Sequence, residues 1–153
     1  MPDVPIKLPA QLGRYKLIRL ISRGGMAYVY EARRESMAGV SPKVAIKMIL
    51  PDKAKDEAYK ELFITEAKVS STLMHRNLVH IQDFEEVDGA FCLVMEYVEG
   101  LTLRDAIRTA RRHGISIPIH VIAEVGRQIC DGLHHAHRAT TSEGRPLGLV
   151  HCD

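Results

Sequence analysis

Val44-Ala45-Ile46-Lys47-Met48-Ile49 sets one charged side chain among five apolar ones, and Pro51 closes the run. So short and apolar a segment predicts a β-strand. Alternate residues of a strand share a face, so Ala45, Lys47 and Ile49 point together. An ammonium on that face has two readings. Its stem covers apolar surface at a sheet edge while the charge reaches water. Alternatively, the charge is held for a phosphate and is itself fixed by a carboxylate.

Working outward, Tyr15–Ile21 and Tyr28–Ala32 are strand candidates on either side of Gly24-Gly25, which predicts a hairpin turn. Glu35 to Pro42 is a polar connection. Beyond the lysine strand, a helix is predicted over Asp56–Met74, with Tyr59, Leu62, Glu66, Val69 and Leu73 in one stripe at steps of three and four. Four of these are apolar. Glu66 is either a buried partner for Lys47, since an unpaired charge there is costly, or an edge residue that reaches water. Val79–Glu85 and Ala90–Glu96 read as two more strands joined at Asp88-Gly89, a strong hairpin signal. The pattern is α+β: a five-stranded antiparallel sheet with a helix between the third and fourth strands.

Residues 1–12 carry three prolines and read as an extended lead-in. Residues 13–99 form the sheet part and 100–153 a helical part. In the latter, Leu103–Arg112 is a short helix, and a longer one begins at Pro118. Its apolar stripe is Ile122, Val125, Ile129, Leu133 and Ala136.

Over 153 residues, 21 basic and 19 acidic side chains leave a formal charge of +2, too balanced to point to nucleic acid. Arg33-Arg34 and Arg111-Arg112 read as solvated pairs. Cys92, Cys130 and Cys152 have no C-x-x-C spacing, which predicts free thiols and a cytoplasmic setting. No signal peptide and no bilayer-spanning apolar run is visible. His134 and His137 lack further ligands at zinc spacing, so no metal site is expected. A Walker-type G-x-x-x-x-G-K-[ST] loop does not occur.

Several stretches together resemble the protein kinase family. Ser22-Arg23-Gly24-Gly25-Met26-Ala27-Tyr28-Val29 resembles its glycine-rich loop, and Val44-Ala45-Ile46-Lys47 its V-A-I-K strand. Glu66 lies in the following helix, where the family keeps that lysine's partner. His75-Arg76-Asn77-Leu78-Val79 resembles the H-P-N-I-V link. Leu93-Val94-Met95-Glu96-Tyr97-Val98-Glu99-Gly100 resembles the hinge, and Leu149-Val150-His151-Cys152-Asp153 the opening of the catalytic loop. The resemblance covers about residues 13 to 153, and its wording is that of bacterial Pkn-type Ser/Thr kinases.

The resemblance implies an N-lobe with its αC helix, followed by αD and αE of a C-lobe. It implies ATP as ligand and γ-phosphoryl transfer to Ser or Thr as reaction. Ser22, Gly24, Gly25 and Ala27 would lie over the phosphates, where the absence of a Cβ lets backbone N–H groups approach. Lys47, held by Glu66, would grip the phosphates, and Asp153 would be the catalytic base. Val29 and Ala45 would cover the adenine, with Met95 behind it. The backbones of Glu96 and Val98 would meet its edge, and Thr102 or Asp105 the ribose.

Three departures shape the expectations. Ser22 and Ala27 replace two loop glycines, and Cys152 replaces the H-R-D arginine. The Mg²⁺ expected for the family finds no asparagine or D-F-G aspartate, because the chain closes at Asp153. The chain alone is therefore expected to lack useful phosphotransfer. The alternatives are a nucleotide-binding or interaction module without catalysis, or a gene remnant. The αE stripe, if uncovered, predicts self-association or a kinase partner. The protein substrate is not specified.

Overall fold

A computed structural model of the chain describes residues 6–35, 39–141 and 143–150. It has six strands, β1 (Ala10–Leu12), β2 (Tyr15–Arg23), β3 (Ala27–Arg34), β4 (Lys43–Ile49), β5 (Ile81–Val87) and β6 (Ala90–Glu96). Three helices accompany them, α1 (Glu57–Thr72), α2 (Leu103–Arg112) and α3 (Ile119–His137). The strands form one antiparallel sheet in the order β1-β2-β3-β4-β6-β5. The chain divides into two compact units, Met1–Thr72 with Val79–Tyr97, and Leu73–Leu78 with Val98–Asp153.

The first unit has a core on each face of its sheet. Tyr28, Tyr30 and Ala32 alternate out of β3 beside Val44, Ile46 and Met48 of β4, and bury with Leu12, Tyr15, Leu17, Cys92 and Val94. On the other face Ala27, Ile49 and Leu93 bury against Phe63 and Ala67 of α1. The central strand β4 is thus covered on both sides, which is why its sequence is a continuous apolar run rather than an alternating one. Burial pushes the Cys92 thiol up to about 12.

The sheet has six strands, one more than expected. Residues read as a lead-in supply β1, which pairs Ala10–Leu12 with Tyr15–Leu17 across a turn where Gly13 takes a φ of 53°. Ile6, Leu8 and Leu12 pack on the first core. The three prolines obscured this, since they break periodicity without preventing an edge strand. The turn also meets β5 at the far end of the sheet order. Arg14 bonds Asp83 at 2.9 Å and Glu85 at 3.1 Å, and the Tyr15 hydroxyl bonds Glu85. A Cβ on Gly13 would come 2.5 Å from Val87 Cγ1. The sheet therefore curls until its two ends touch. Burial, then the Glu85 bond, raises the Tyr15 hydroxyl to about 12.

Helix α1 is rotated from the expected stripe. It buries Phe63 and Ala67, with Tyr59 packed beside them, whereas Leu62 is 59% exposed. Phe63 sets the rotation, because its ring packs 6.1 Å from that of Phe84, over the sheet. The helix starts where Asp56 Oδ1 accepts the Ala58 N–H at 2.9 Å. Strand β5 begins at Ile81, two residues later than the sequence suggested. Before it, His80 is held by Glu96, with His80 N–H to Glu96 Oε1 at 2.8 Å and Glu96 N–H to His80 O at 2.9 Å. Asp88 and Gly89 take φ of 51° and 78°, as a two-residue hairpin turn requires.

In the second unit, Thr102 caps α2 by accepting the Asp105 N–H at 3.1 Å. Helix α3 follows Pro118 and packs on the link 73–78. Gly132 is buried there, and a Cβ on it would meet Asn77 O at 3.2 Å. Asn77 donates to Gln128 Oε1 at 3.0 Å, and the His75 and His135 rings stack with centroids 5.1 Å apart. Glu124 on α3 is held down at about 2 by hydrogen bonds from Arg127 and Gln128. Of the expected α3 stripe, Val125, Leu133 and Ala136 are half-buried, while Ile122 and Ile129 are 53% and 52% exposed. Leu103, Ile107, Ile117, Val121, Ile122 and Ile129 line an open apolar groove of about 560 Å³. Among the described residues, no helix is long and apolar enough to cross a membrane.

Candidate functional site

The site builds from the β4 face that carries α1. Antiparallel register sets Val29 and Leu93 opposite Lys47, and Glu31 and Met95 opposite Ala45. Directly paired residues share a face. Val29, Ala45, Lys47 and Met95 therefore stand together on one side of the sheet, with Val29 and Met95 half-buried.

Lys47 reaches α1. Its Nζ lies 2.5 and 2.6 Å from the two carboxylate oxygens of Glu66 and 5.7 Å from the centroid of the Phe63 ring. Glu66 comes within reach because Phe63, one turn earlier, anchors the helix on the sheet. The side chains of Lys47 and Glu66 are 21% and 39% exposed, so the pair stands at the surface of the core rather than inside it. An ammonium has three protons, and two point at Glu66, which leaves one for another acceptor. The result is a fixed cation with spare donor capacity.

The glycine turn closes the β2–β3 hairpin, with Arg23 opposite Tyr28 and the Gly24 N–H donating to Ala27 O at 2.9 Å. Neither Gly24 nor Gly25 is among the glycines with positive φ. What they supply is room. A Cβ on Gly25 meets nothing within 4 Å, and one on Gly24 meets only Ala27 O at 3.6 Å. Ser22 lies in the ladder opposite Val29, in extended backbone that any residue adopts. Ala27 turns its methyl into the second core, where it is 3% exposed.

Of the remaining candidates, Glu96 is tied to His80 through its N–H and carboxylate. Val98 opens the second unit and is exposed. Thr102 and Asp105 use their polar groups on the α2 cap, with Thr102 Oγ1 donating to Asp105 Oδ2 at 2.7 Å and Arg108 bonding the same carboxylate. Asp153, with His151 and Cys152, lies outside the described residues. The structure thus brings together Ser22, Gly24, Gly25, Ala27, Val29, Ala45, Lys47, Glu66, Met95 and Glu96 within the first unit. Sequence reading missed two features, Phe63 beneath Lys47 and a polar network of Arg19, Glu31 and Tyr97. The steps of four in Tyr59, Phe63 and Ala67 carried a signal for the first. Nothing local carried one for the second. No three His, Cys, Asp or Glu side chains among the described residues gather as a metal site.

A sheet-held lysine, a helix carboxylate and an open glycine turn define a phosphate-binding N-lobe of the protein kinase type. The chain belongs to the protein kinase domain family, which matches residues 15–153. It is 34% identical to the tyrosine-protein kinase MasK of Myxococcus xanthus over 98% of this chain and 23% of that protein. It is 39% identical to the serine/threonine-protein kinase PrkC of Bacillus subtilis, over 82% of this chain and 18% of that one. The crystal structure of the Mycobacterium tuberculosis PknI kinase domain superposes with a TM-score of 0.67 at 22% identity, covering 88% of this chain and 53% of that one, and shows the same fold. The chain spans about a fifth of the curated relatives' length.

Proposed function

We propose that the first unit binds ATP and that the reaction is transfer of the γ-phosphoryl group to a Ser or Thr hydroxyl of a protein. The observation that carries this reading is the Lys47–Glu66 pair, on the same face as Val29, Ala45 and Met95. Glu66 holds the ammonium against the sheet, and the remaining proton of Lys47 serves the phosphates. The open turn at Gly24 and Gly25 lets backbone approach them. Val29 and Ala45 present an apolar surface to the adenine, Met95 stands behind it, and the backbones of Glu96 and Val98 meet its edge. In transfer, the hydroxyl oxygen attacks the γ-phosphorus, its proton passes to Asp153, and ADP leaves. The described residues do not gather a Mg²⁺ site, so no step is derived through that ion.

A second reading, a nucleotide-binding or interaction module without transfer, draws on the apolar groove of α2 and α3. Exposed Ile122 and Ile129 make self-association or a kinase partner its expected behaviour.

Titration calorimetry with ATP tests the site. Lys47→Met is expected to weaken binding at least about tenfold, since it removes a charge-assisted contact to phosphate. Equal affinity in both proteins, or no binding by the natural chain at millimolar ATP, overturns the ATP reading. A phosphotransfer assay on a generic protein substrate separates the two readings. Turnover abolished by Lys47→Met supports the enzyme, and binding without turnover supports the module.

A further inference from the structure

The sheet face that carries Ala45 and Met95 also carries a network with no part yet assigned. Arg19 on β2 stands opposite Glu31 on β3, and Glu31 stands opposite Ala45. The Arg19 guanidinium donates from Nε to Glu31 Oε2 at 2.7 Å and from Nη2 to the Tyr97 hydroxyl at 2.8 Å. Tyr97 directly follows β6, and in the sheet order β3 and β4 lie between β2 and β6. Lys43 Nζ sits 5.5 Å from the centroid of the Tyr97 ring. The Glu31 side chain is only 12% exposed, so this is more than a solvated surface pair.

We propose that Arg19 is a positioning residue that fixes the chain at the end of β6, and thereby the backbone offered to the adenine edge. The proposal rests on the ATP reading. Ladder pairing holds β6 as far as Glu96, opposite Val44. Beyond it the backbone leaves the sheet, and Tyr97 is tied back through its side chain. The planar fork of Arg19 suits this, because it serves a carboxylate and a hydroxyl in fixed directions at once, which an ammonium does less well. Glu31 aims the fork, and Lys43 over the ring limits how far Tyr97 swings.

Arg19→Met, Arg19→Lys and Tyr97→Phe test this by hydrogen exchange over residues 95–98 of the free chain and by titration with ATP and with inorganic tripolyphosphate. Arg19→Met and Tyr97→Phe are expected to speed exchange in that segment and to weaken ATP by about three- to tenfold, the effect of one lost hydrogen bond to a charged group. Tripolyphosphate, which has no base, is expected to bind as before, and Arg19→Lys to lie between. A merely structural role would weaken ATP and tripolyphosphate alike, and that result overturns the proposal. So does unchanged exchange at 95–98, whether or not ATP binds. A natural chain that binds tripolyphosphate but shows no added affinity for ATP overturns the adenine reading itself, and the positioning role with it.

Discussion

The two units of this molecule use apolar residues in opposite ways. Every buried apolar side chain among the described residues lies in the first unit, distributed over both faces of one curled sheet. In the second unit only Gly132 is buried, while Ile119, Ile122, Ile129 and Val150 are exposed. A sheet covered on both faces satisfies its backbone and its side chains within 97 residues of chain. Two amphipathic helices and a link satisfy their backbones but leave apolar stripes open. The proposed nucleotide residues fall almost wholly in the unit with the closed core. That suits a site that must hold a lysine and a carboxylate in one geometry.

The contrast can be broken most directly by truncating one side chain in each unit. Phe63→Ala is expected to destabilise the chain by about 3–5 kcal/mol in urea unfolding, because it opens a cavity between α1 and the sheet. Ile122→Ala is expected to stay within about 0.5 kcal/mol. Comparable losses would show that the second unit has a core after all.

Base supplies the next largest effect. The Cys92 thiol goes from its ordinary 9.0 to about 12 in the fold, and the Tyr15 hydroxyl from 10.0 to about 12. A raised pKa favours the protonated fold, so this stability is complete below pH 9 and is lost as pH rises towards 12. The thiol's share is about 2–4 kcal/mol. Circular dichroism at rising pH is expected to show unfolding in that window, and Cys92→Ala to flatten its lower part. A stability constant from pH 9 to 12 would contradict the burial that causes both shifts.

A glycine in each unit sharpens the comparison further. Gly13→Ala forces a side chain onto φ 53° and against Val87 Cγ1, and is expected to cost about 2 kcal/mol. Gly132→Ala meets Asn77 O at 3.2 Å and Leu78 Cδ2 at 3.3 Å, and is expected to cost about 1 kcal/mol. Thermal melts of both variants decide the order. The smallest effect on stability is expected from Ile122→Ser, yet its sedimentation profile is expected to show less self-association than the natural chain. An unchanged profile would take the exposed stripe out of any role in association.

Much of the first unit was legible because its signals are local. The runs of β3, β4 and β6, the Asp88-Gly89 turn and the order of lysine strand and glutamate helix all lie within short windows. Helix α1 shows the limit. Leu62 and Phe63 are neighbours, and either begins a plausible stripe, so only contact with Phe84 and Leu93 decides which one faces the sheet. Strand β1 was hidden for a related reason: its partner is local, but its stabilising contacts, Ile6 and Leu8 on the first core and Gly13 on Val87, are not. The roles carried by Thr102 and Asp105 were read from resemblance, whereas the structure engages both in capping α2.

By itself the sequence determined the α+β class, the lysine on a buried strand and the glutamate on the next helix, because periodicity, turn chemistry and charge in apolar runs act over a few residues. Only the tertiary structure decided that the sheet curls until Arg14 meets Asp83 and Glu85, that α1 turns Phe63 inward, that Glu66 takes two of the three Lys47 protons, and that Arg19 reaches Tyr97. Each of these depends on distances between residues remote in sequence, which are set when the strands pair and twist and not by any stretch of chain alone.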